Sequence, residues 1–132
     1  MRPLLPFILL HLCATLALAN DSETPKLLPI PDKLVVLTFD DCNKSDRTFV
    51  ADLVKEHAFG ATFYITEGLG FLKSKENYMT WKEIRELHDM GFEIGNHTKA
   101  HRNVTKLTKE ALSESLDHID TRCAENGIPR PI

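Results

Sequence analysis

Short apolar segments alternate with amphipathic segments along the chain, and this alternation limits the fold more than any other sequence feature. The apolar segments are residues 34–39, 61–66 and 92–95, and the amphipathic segments are 46–57, 80–91 and 108–127. Continuous apolar runs rich in β-branched residues are typical of strands buried on both faces, and apolar spacings of three and four are typical of helices. The order therefore predicts an α/β domain in which parallel strands are joined by helical crossovers.

Residues at the ends of the amphipathic segments support these boundaries. The segment from Thr80 to Glu83 has a capping-box sequence, and Thr108 is a suitable N-cap for the last helix. Gly91 and Gly127 follow the second and third helices, where glycine commonly provides the C-cap.

Three strands do not close a barrel, and a fourth strand is due where the 132 residues end. An open parallel sheet leaves strand edges unpaired and an apolar face poorly covered. We therefore expect residues 33–132 to be the N-terminal part of a larger domain. We also expect the 132-residue chain alone to be poorly folded and an inefficient enzyme.

The first 32 residues differ in composition from the rest. Met1-Arg2 precedes an apolar run, residues 4–19, that ends in Ala17-Leu18-Ala19, which predicts a signal peptide over residues 1–19. The alternative is an uncleaved anchor, although the run is short for a membrane span. Residues 20–32 contain several prolines and predict a leader. We expect a secreted, periplasmic or cell-envelope protein with no stable membrane span after cleavage.

The charge pattern argues against a nucleic-acid partner. The chain has 16 basic and 19 acidic residues, which gives a formal net charge of −3. Nucleic-acid binding relies on clustered positive charge, and the sequence has no such cluster.

Candidate functional side chains follow the first and third predicted strands. Asp40 and Asp41 come after the first, and His97 and His101 come after the third. Because the carboxyl ends of parallel strands lie at one edge of a sheet, Asp41 can meet both histidines. We predict that the histidines share one helical turn and bind a metal ion with Asp41, leaving coordination positions open. The alternatives are a helix-capping turn at 40–41 and histidines on a surface turn.

Two segments resemble the motifs of a known family. Residues 38–41, Thr-Phe-Asp-Asp, resemble the first motif of the polysaccharide deacetylases, also called NodB-homology proteins or carbohydrate esterase family 4. Residues 95–101 resemble the second motif, a His-Thr-x-x-His box, and residues 60–65 are similar to the second strand. The resemblance covers residues 33–132 and implies the front portion of a distorted (β/α) barrel.

The resemblance implies hydrolysis of N-acetyl or O-acetyl groups on a glycan such as chitin, peptidoglycan or acetylxylan. It implies that Asp41, His97 and His101 bind a divalent ion, with Asp40 as the general base. Zinc is the expected ion, with cobalt or another divalent ion as the alternative. Such an ion acidifies water and polarises the acetyl carbonyl, while the carboxylate removes a proton. Thr98 is expected to orient the loop.

The sequence departs from the family pattern in two ways. Cys42 stands where the family usually has glycine, and we expect a small packed side chain there, with metal ligation as the alternative. No residue matches the later motifs, which supply an arginine, an aspartate and the histidine general acid; His88 and His118 are expected to be packing or surface residues. The competing hypothesis is therefore a truncated, inactive remnant that binds metal or glycan. Cys42 and Cys123 could also pair in an oxidising compartment.

Overall fold

The computed structural model describes residues 29–132, of which Lys33–Ile132 form one compact unit. The predicted signal peptide, residues 1–19, and most of the predicted leader, residues 20–32, lie outside the described residues. Within residues 29–132, no helix combines the length and the apolar character needed to cross a membrane.

Strands and helices alternate through the described part of the chain, as the sequence predicts. The strands are β1 (Thr38–Asp40), β2 (Thr62–Ile65) and β3 (Glu93–Asn96). The helices are α1 (Ala51–Glu56), preceded by a π-helical turn (Asp46–Val50), α2 (Trp81–Asp89) and α3 (Lys109–Glu125), with a 3₁₀ turn (Val104–Lys106) before α3. The strands are parallel and lie in the order β1-β2-β3. This confirms the predicted class and crossover topology.

The helix ends form as the sequence predicts. The Thr80 hydroxyl accepts from the Glu83 backbone N–H at 3.3 Å, and the Glu83 carboxylate accepts from the Thr80 N–H at 2.7 Å. The Thr108 hydroxyl caps α3 by accepting from a backbone N–H in its first turn. Gly91 and Gly127 follow α2 and α3 with φ of 91° and 70°, a conformation that glycine adopts without strain.

The two faces of the sheet differ in polarity because side chains alternate along each strand. Phe39, Phe63 and Ile94 are aligned across the three strands on one face. This face contributes to a single buried cluster with helix residues such as Ile84 and Ile119. On the other face the aligned row is Asp40–Tyr64–Gly95, so the apolar face is packed and the polar face carries the candidate base.

The first strand is shorter than predicted. The sequence predicts a strand over 34–39 that is buried on both faces, but β1 covers Thr38–Asp40. Leu34, Val35 and Val36 are 56%, 77% and 71% exposed. In the described sheet β1 is an edge strand with a neighbour on one side only, so the prediction of burial was wrong for these residues.

The opposite edge of the sheet is extended by the backbone at Ile132. Its N–H donates to the Ile94 carbonyl at 3.2 Å, and its carbonyl accepts from the Asn96 N–H at 2.9 Å. One residue bonded to two alternate residues of its neighbour is the pattern of a parallel ladder. Ile132 therefore pairs with β3 in the parallel sense, on the side of β3 away from β2.

Candidate metal centre

Asp41, His97 and His101 come together at the carboxyl end of the sheet. The Asp41 Oδ1 atom lies 3.5 Å from His97 Nε2 and 3.2 Å from His101 Nε2. One ligand atom from each residue lies within 4.8 Å of the other two. The structure thus brings together the three residues that the sequence predicts as metal ligands.

The chemistry of this group fits a divalent cation. Asp41 Oδ1 is buried and has no hydrogen-bond partner among residues 29–132, which is a costly arrangement for a carboxylate oxygen unless a cation satisfies it. The two histidine side chains are 32% and 38% exposed, so solvent reaches the group. Two imidazole nitrogens and one carboxylate oxygen are ligands that zinc takes when coordination positions stay open.

A sharp turn after β1 places Asp41. Asp41 and Cys42 have φ of 74° and 59°, the left-handed region that residues with side chains seldom occupy. The Asn43 side-chain amide donates to the Asp40 carbonyl at 3.0 Å and closes the turn. No side chain caps the following π-helical turn at Ser45, so the capping alternative for residues 40–41 is not what the structure has. The exposed Asp40 carboxylate makes no hydrogen bond or ion pair to any described residue.

The two histidines converge through a loop. Residues 97–101 contain no helical turn, and Thr98 and His101 have φ of 64° and 50°. The prediction that the histidines share a helical turn was therefore wrong. The spacing of four residues is compatible with a helix, but in this chain left-handed backbone at two positions turns both imidazoles toward Asp41.

The Asn96 side chain fixes the start of this loop. Its Oδ1 atom accepts from the Thr98 N–H at 3.0 Å. Its Nδ2 atom donates to the Leu116 carbonyl at 2.9 Å and to Asp120 Oδ1 at 2.8 Å, both on α3. Thr98, which the sequence suggests as the orienting residue, contributes its backbone N–H to this arrangement.

Tyr64 lines the site and was not predicted from the sequence. Its ring lies against β3, where a Cβ atom at Gly95 would be 2.3 Å from the tyrosine ring. The ring centroid of Tyr64 is 6.3 Å from that of His97. Because Gly95 has no side chain, the Tyr64 ring fits between Asp40 and the loop 97–101. The glycine directly before the Asn-His pair was the available signal.

Cys42 is a packed side chain. It is 1% exposed, and its sulfur accepts from the Thr66 N–H at 3.3 Å and donates to the Thr66 carbonyl at 3.4 Å. Burial raises the pKa of the thiol to about 12, so it is neutral at physiological pH. Cys42 lies outside the ligand group, and both Cys42 and Cys123 are free and buried.

Asp46 is a second carboxylate buried near the metal centre. The residue is 5% exposed, and no described residue hydrogen-bonds its Oδ2 atom. Burial raises its pKa to about 6, partly offset by a hydrogen bond from the Asn43 backbone, while Asp41 and Asp40 raise it further. The Asp46 carboxyl therefore binds a proton more tightly in the folded state than in the unfolded state. As pH rises from about 4 to about 6, the contribution of Asp46 to the free energy of unfolding decreases.

We expect Asp46→Asn to be more stable than the unmodified protein at pH 7.5, by roughly 1–3 kcal/mol, because asparagine carries no buried charge. The difference should shrink as the pH falls toward 4. Denaturant unfolding at both pH values, with a chelator present, measures it. Asp52→Asn, at an exposed position in α1, is the matched control. Equal stability of Asp46→Asn and the unmodified protein at both pH values would contradict the prediction.

The chain is similar in sequence to a known protein family and to individual members of it. The sequence model of the family described as polysaccharide deacetylase matches residues 28–130. The Bacillus cereus peptidoglycan-N-acetylglucosamine deacetylase is 30% identical over 92 residues, covering 67% of this chain and 39% of that protein. The Bacillus subtilis peptidoglycan-N-acetylmuramic acid deacetylase PdaA is 30% identical over 90 residues, covering 67% of this chain and 32% of that protein.

A solved structure has the same fold. The Streptococcus pyogenes deacetylase PplD superposes with a TM-score of 0.62 at 23% identity, covering 77% of this chain and 45% of that chain. This likeness confirms the predicted partial (β/α) barrel. The chain spans less than two fifths of the length of the two Bacillus relatives.

Proposed function

Because the chain belongs to the polysaccharide deacetylase family, we propose that it takes part in metal-dependent removal of acetyl groups from a glycan. The observation that carries the proposal is the convergence of Asp41, His97 and His101, with a buried Asp41 oxygen that no other described residue hydrogen-bonds. In this proposal these three residues hold one divalent ion, zinc by preference, and Asp40 is the general base.

The reaction is hydrolysis of an N-acetyl or O-acetyl group. Water adds to the acyl carbon, the bond to nitrogen or oxygen breaks, and the leaving atom gains a proton. When bound, a divalent ion supplies Lewis-acid polarisation of the carbonyl and acidifies water. Asp40 is suited to take the proton from the attacking water, because its exposed carboxylate sits next to the ligand Asp41 and makes no hydrogen bond or ion pair within the described part of the chain.

The polar sheet face gives the substrate a place to bind. Asp40 and Tyr64 are aligned on neighbouring strands, and the Tyr64 ring reaches the side of His97. Aromatic rings commonly pack against the apolar faces of sugars, and a groove of about 320 Å³ continues past the histidines along residues 101–104. We propose peptidoglycan as the first substrate to test, since the two Bacillus relatives are named for it, followed by chitin oligomers and acetylxylan.

The test is acetate release by a hybrid enzyme in which residues 33–132 replace the matching segment of the Bacillus cereus deacetylase. The hybrid contains the remainder of the barrel, so its acetate release shows whether residues 33–132 provide a working metal and base site. We expect acetate release from peptidoglycan fragments that is abolished by a chelator and restored by zinc.

A folded, zinc-loaded hybrid that releases no acetate from any of the three glycans would contradict the proposed deacetylation. That result would favour the alternative function, a remnant that binds metal or glycan without turnover.

A further inference from the structure

Glu67 lies just after β2, at the same edge of the sheet as the metal centre. Its side chain is 8% exposed. Its carboxylate accepts from Trp81 Nε1 at 2.7 Å and from Arg122 Nε at 3.0 Å, and lies 2.8 Å from His118 Nε2. These partners belong to α2 and α3, so one carboxylate joins the end of β2 to two helices. None of the four residues belongs to the metal-ligand group.

The Glu67 carboxylate is held in its ionised form. Burial by itself raises the pKa of Glu67, but hydrogen bonds from His118, Trp81 and Arg122 outweigh burial and bring the pKa below its usual value. Charge-assisted hydrogen bonds of this kind are stronger than those between neutral groups. The Glu67 carboxylate therefore binds the end of β2 strongly to α3.

The backbone of Lys99 is held between the same two elements. Lys99 lies midway between His97 and His101 in residues 97–101, the loop that carries both histidine ligands (the ligand loop). Its carbonyl accepts from the Glu67 N–H at 3.1 Å. Its N–H donates to Ser115 on α3, to the carbonyl at 3.1 Å and to the hydroxyl at 2.9 Å. Ser115 lies one helical turn before His118. The Lys99 backbone therefore bonds to both the segment after β2 and α3, the same two parts of the fold that the Glu67 carboxylate joins.

Gly68 brings the segment after β2 into direct contact with the ligand loop. A Cβ atom at Gly68 would lie 2.8 Å from the carbonyl carbon of Ala100 and 3.1 Å from the Cβ of His101. A shift of residues 66–68 would therefore move the loop that carries both histidines. The left-handed backbone at Thr98 and His101 also needs surroundings that enforce it.

We propose that Glu67 is a positioning residue for the metal centre: it fastens α3 to the end of β2 and so fixes the loop 97–101 between them. The inference rests on the proposed function to the extent that Asp41, His97 and His101 bind a metal ion. Groups outside the ligand set that orient metal ligands contribute strongly to affinity. Glu67 acts in this way through the backbone of Lys99.

The test compares Glu67→Gln with Glu83→Gln in the full chain. Glu83 is a matched control because its carboxylate is also largely buried and hydrogen-bonded, to Lys44 and Thr80, but it does not contact the ligand loop. Both substitutions should lower the unfolding midpoint. Only Glu67→Gln should raise the Kd for zinc, by roughly 10–100-fold, measured by competition with a chromophoric chelator.

Substitutions at His118 keep the test decisive if Glu67→Gln does not fold. His118→Ala removes one of the three partners and should raise the zinc Kd by a smaller factor. His118→Gln keeps an N–H donor near the carboxylate and should bring the Kd back toward that of the unmodified chain. Equal zinc Kd values for the unmodified chain and both His118 variants would overturn the proposal, as would equal weakening by Glu83→Gln and Glu67→Gln.

Failure of this inference and failure of the proposed function give different results. If the unmodified chain binds no zinc, both are overturned. If the unmodified chain binds zinc and His101→Ala abolishes binding, while a folded Glu67→Gln binds as tightly as the unmodified chain, only the role of Glu67 is overturned.

Discussion

Alanine at position 97 or 101 is expected to remove most of the bound zinc from the protein. The unmodified chain should hold about one equivalent, the number that a single three-ligand site takes. Each substitution leaves only two of the three ligands, so the zinc Kd should rise by more than the roughly 10–100-fold associated with residues outside the ligand set. Metal content after gel filtration, measured by mass spectrometry, gives the result directly.

His88→Ala is the control for this prediction. His88 is a partly buried histidine on α2 and is not in the ligand group. Its replacement should leave zinc content unchanged. Circular dichroism on each variant separates loss of a ligand from loss of the fold. Unchanged zinc content in folded His97→Ala and His101→Ala would exclude these residues as ligands.

Asp40→Asn and Asp41→Asn are expected to fail in different ways, although the two residues are adjacent. In the hybrid enzyme, Asp40→Asn should lose roughly 10²–10⁴-fold in kcat, the usual contribution of a general base, with little change in zinc Kd. Asp41→Asn should lose zinc, because Asp41 Oδ1 is the atom that faces both imidazoles. Excess zinc should partly restore turnover to Asp41→Asn and should not restore it to Asp40→Asn.

The structure gives a reason for this split. The left-handed turn at Asp41 directs its carboxylate toward the histidine loop, whereas Asp40 ends β1 in the row shared with Tyr64. If Asp40→Asn lost zinc and Asp41→Asn kept zinc while losing turnover, the two assignments would have to be exchanged.

The parts of the fold that depend on local sequence could be predicted. The capping box at Thr80 and Glu83 forms as its sequence indicates, and Gly91 and Gly127 have the positive φ that their positions after helices suggest. The alternation of segments also predicted parallel strands joined by helices, which the structure has. The helix caps and segment boundaries are encoded by residues within one or two helical turns of each other, so a single sequence reveals them.

Features that depend on distant contacts could not be predicted in the same way. The histidine loop was expected to be helical, but its path is set by Asn96 and Lys99 bonding to α3. Glu67 gave no signal because its partners Trp81, His118 and Arg122 lie 14, 51 and 55 positions away. The exposure of residues 34–36 depends on which neighbour a strand has, and periodicity does not carry that information.

The position of a bound zinc ion shows directly whether Asp41, His97 and His101 form the metal site. A crystal of the chain, or of the hybrid, grown with one equivalent of zinc should be measured on both sides of the zinc absorption edge. We expect one anomalous peak, about 2.0–2.2 Å from an Asp41 carboxylate oxygen and from one nitrogen each of His97 and His101. A zinc ion bound by other side chains, with these three residues unliganded in a zinc-loaded protein, would exclude this group as the metal site.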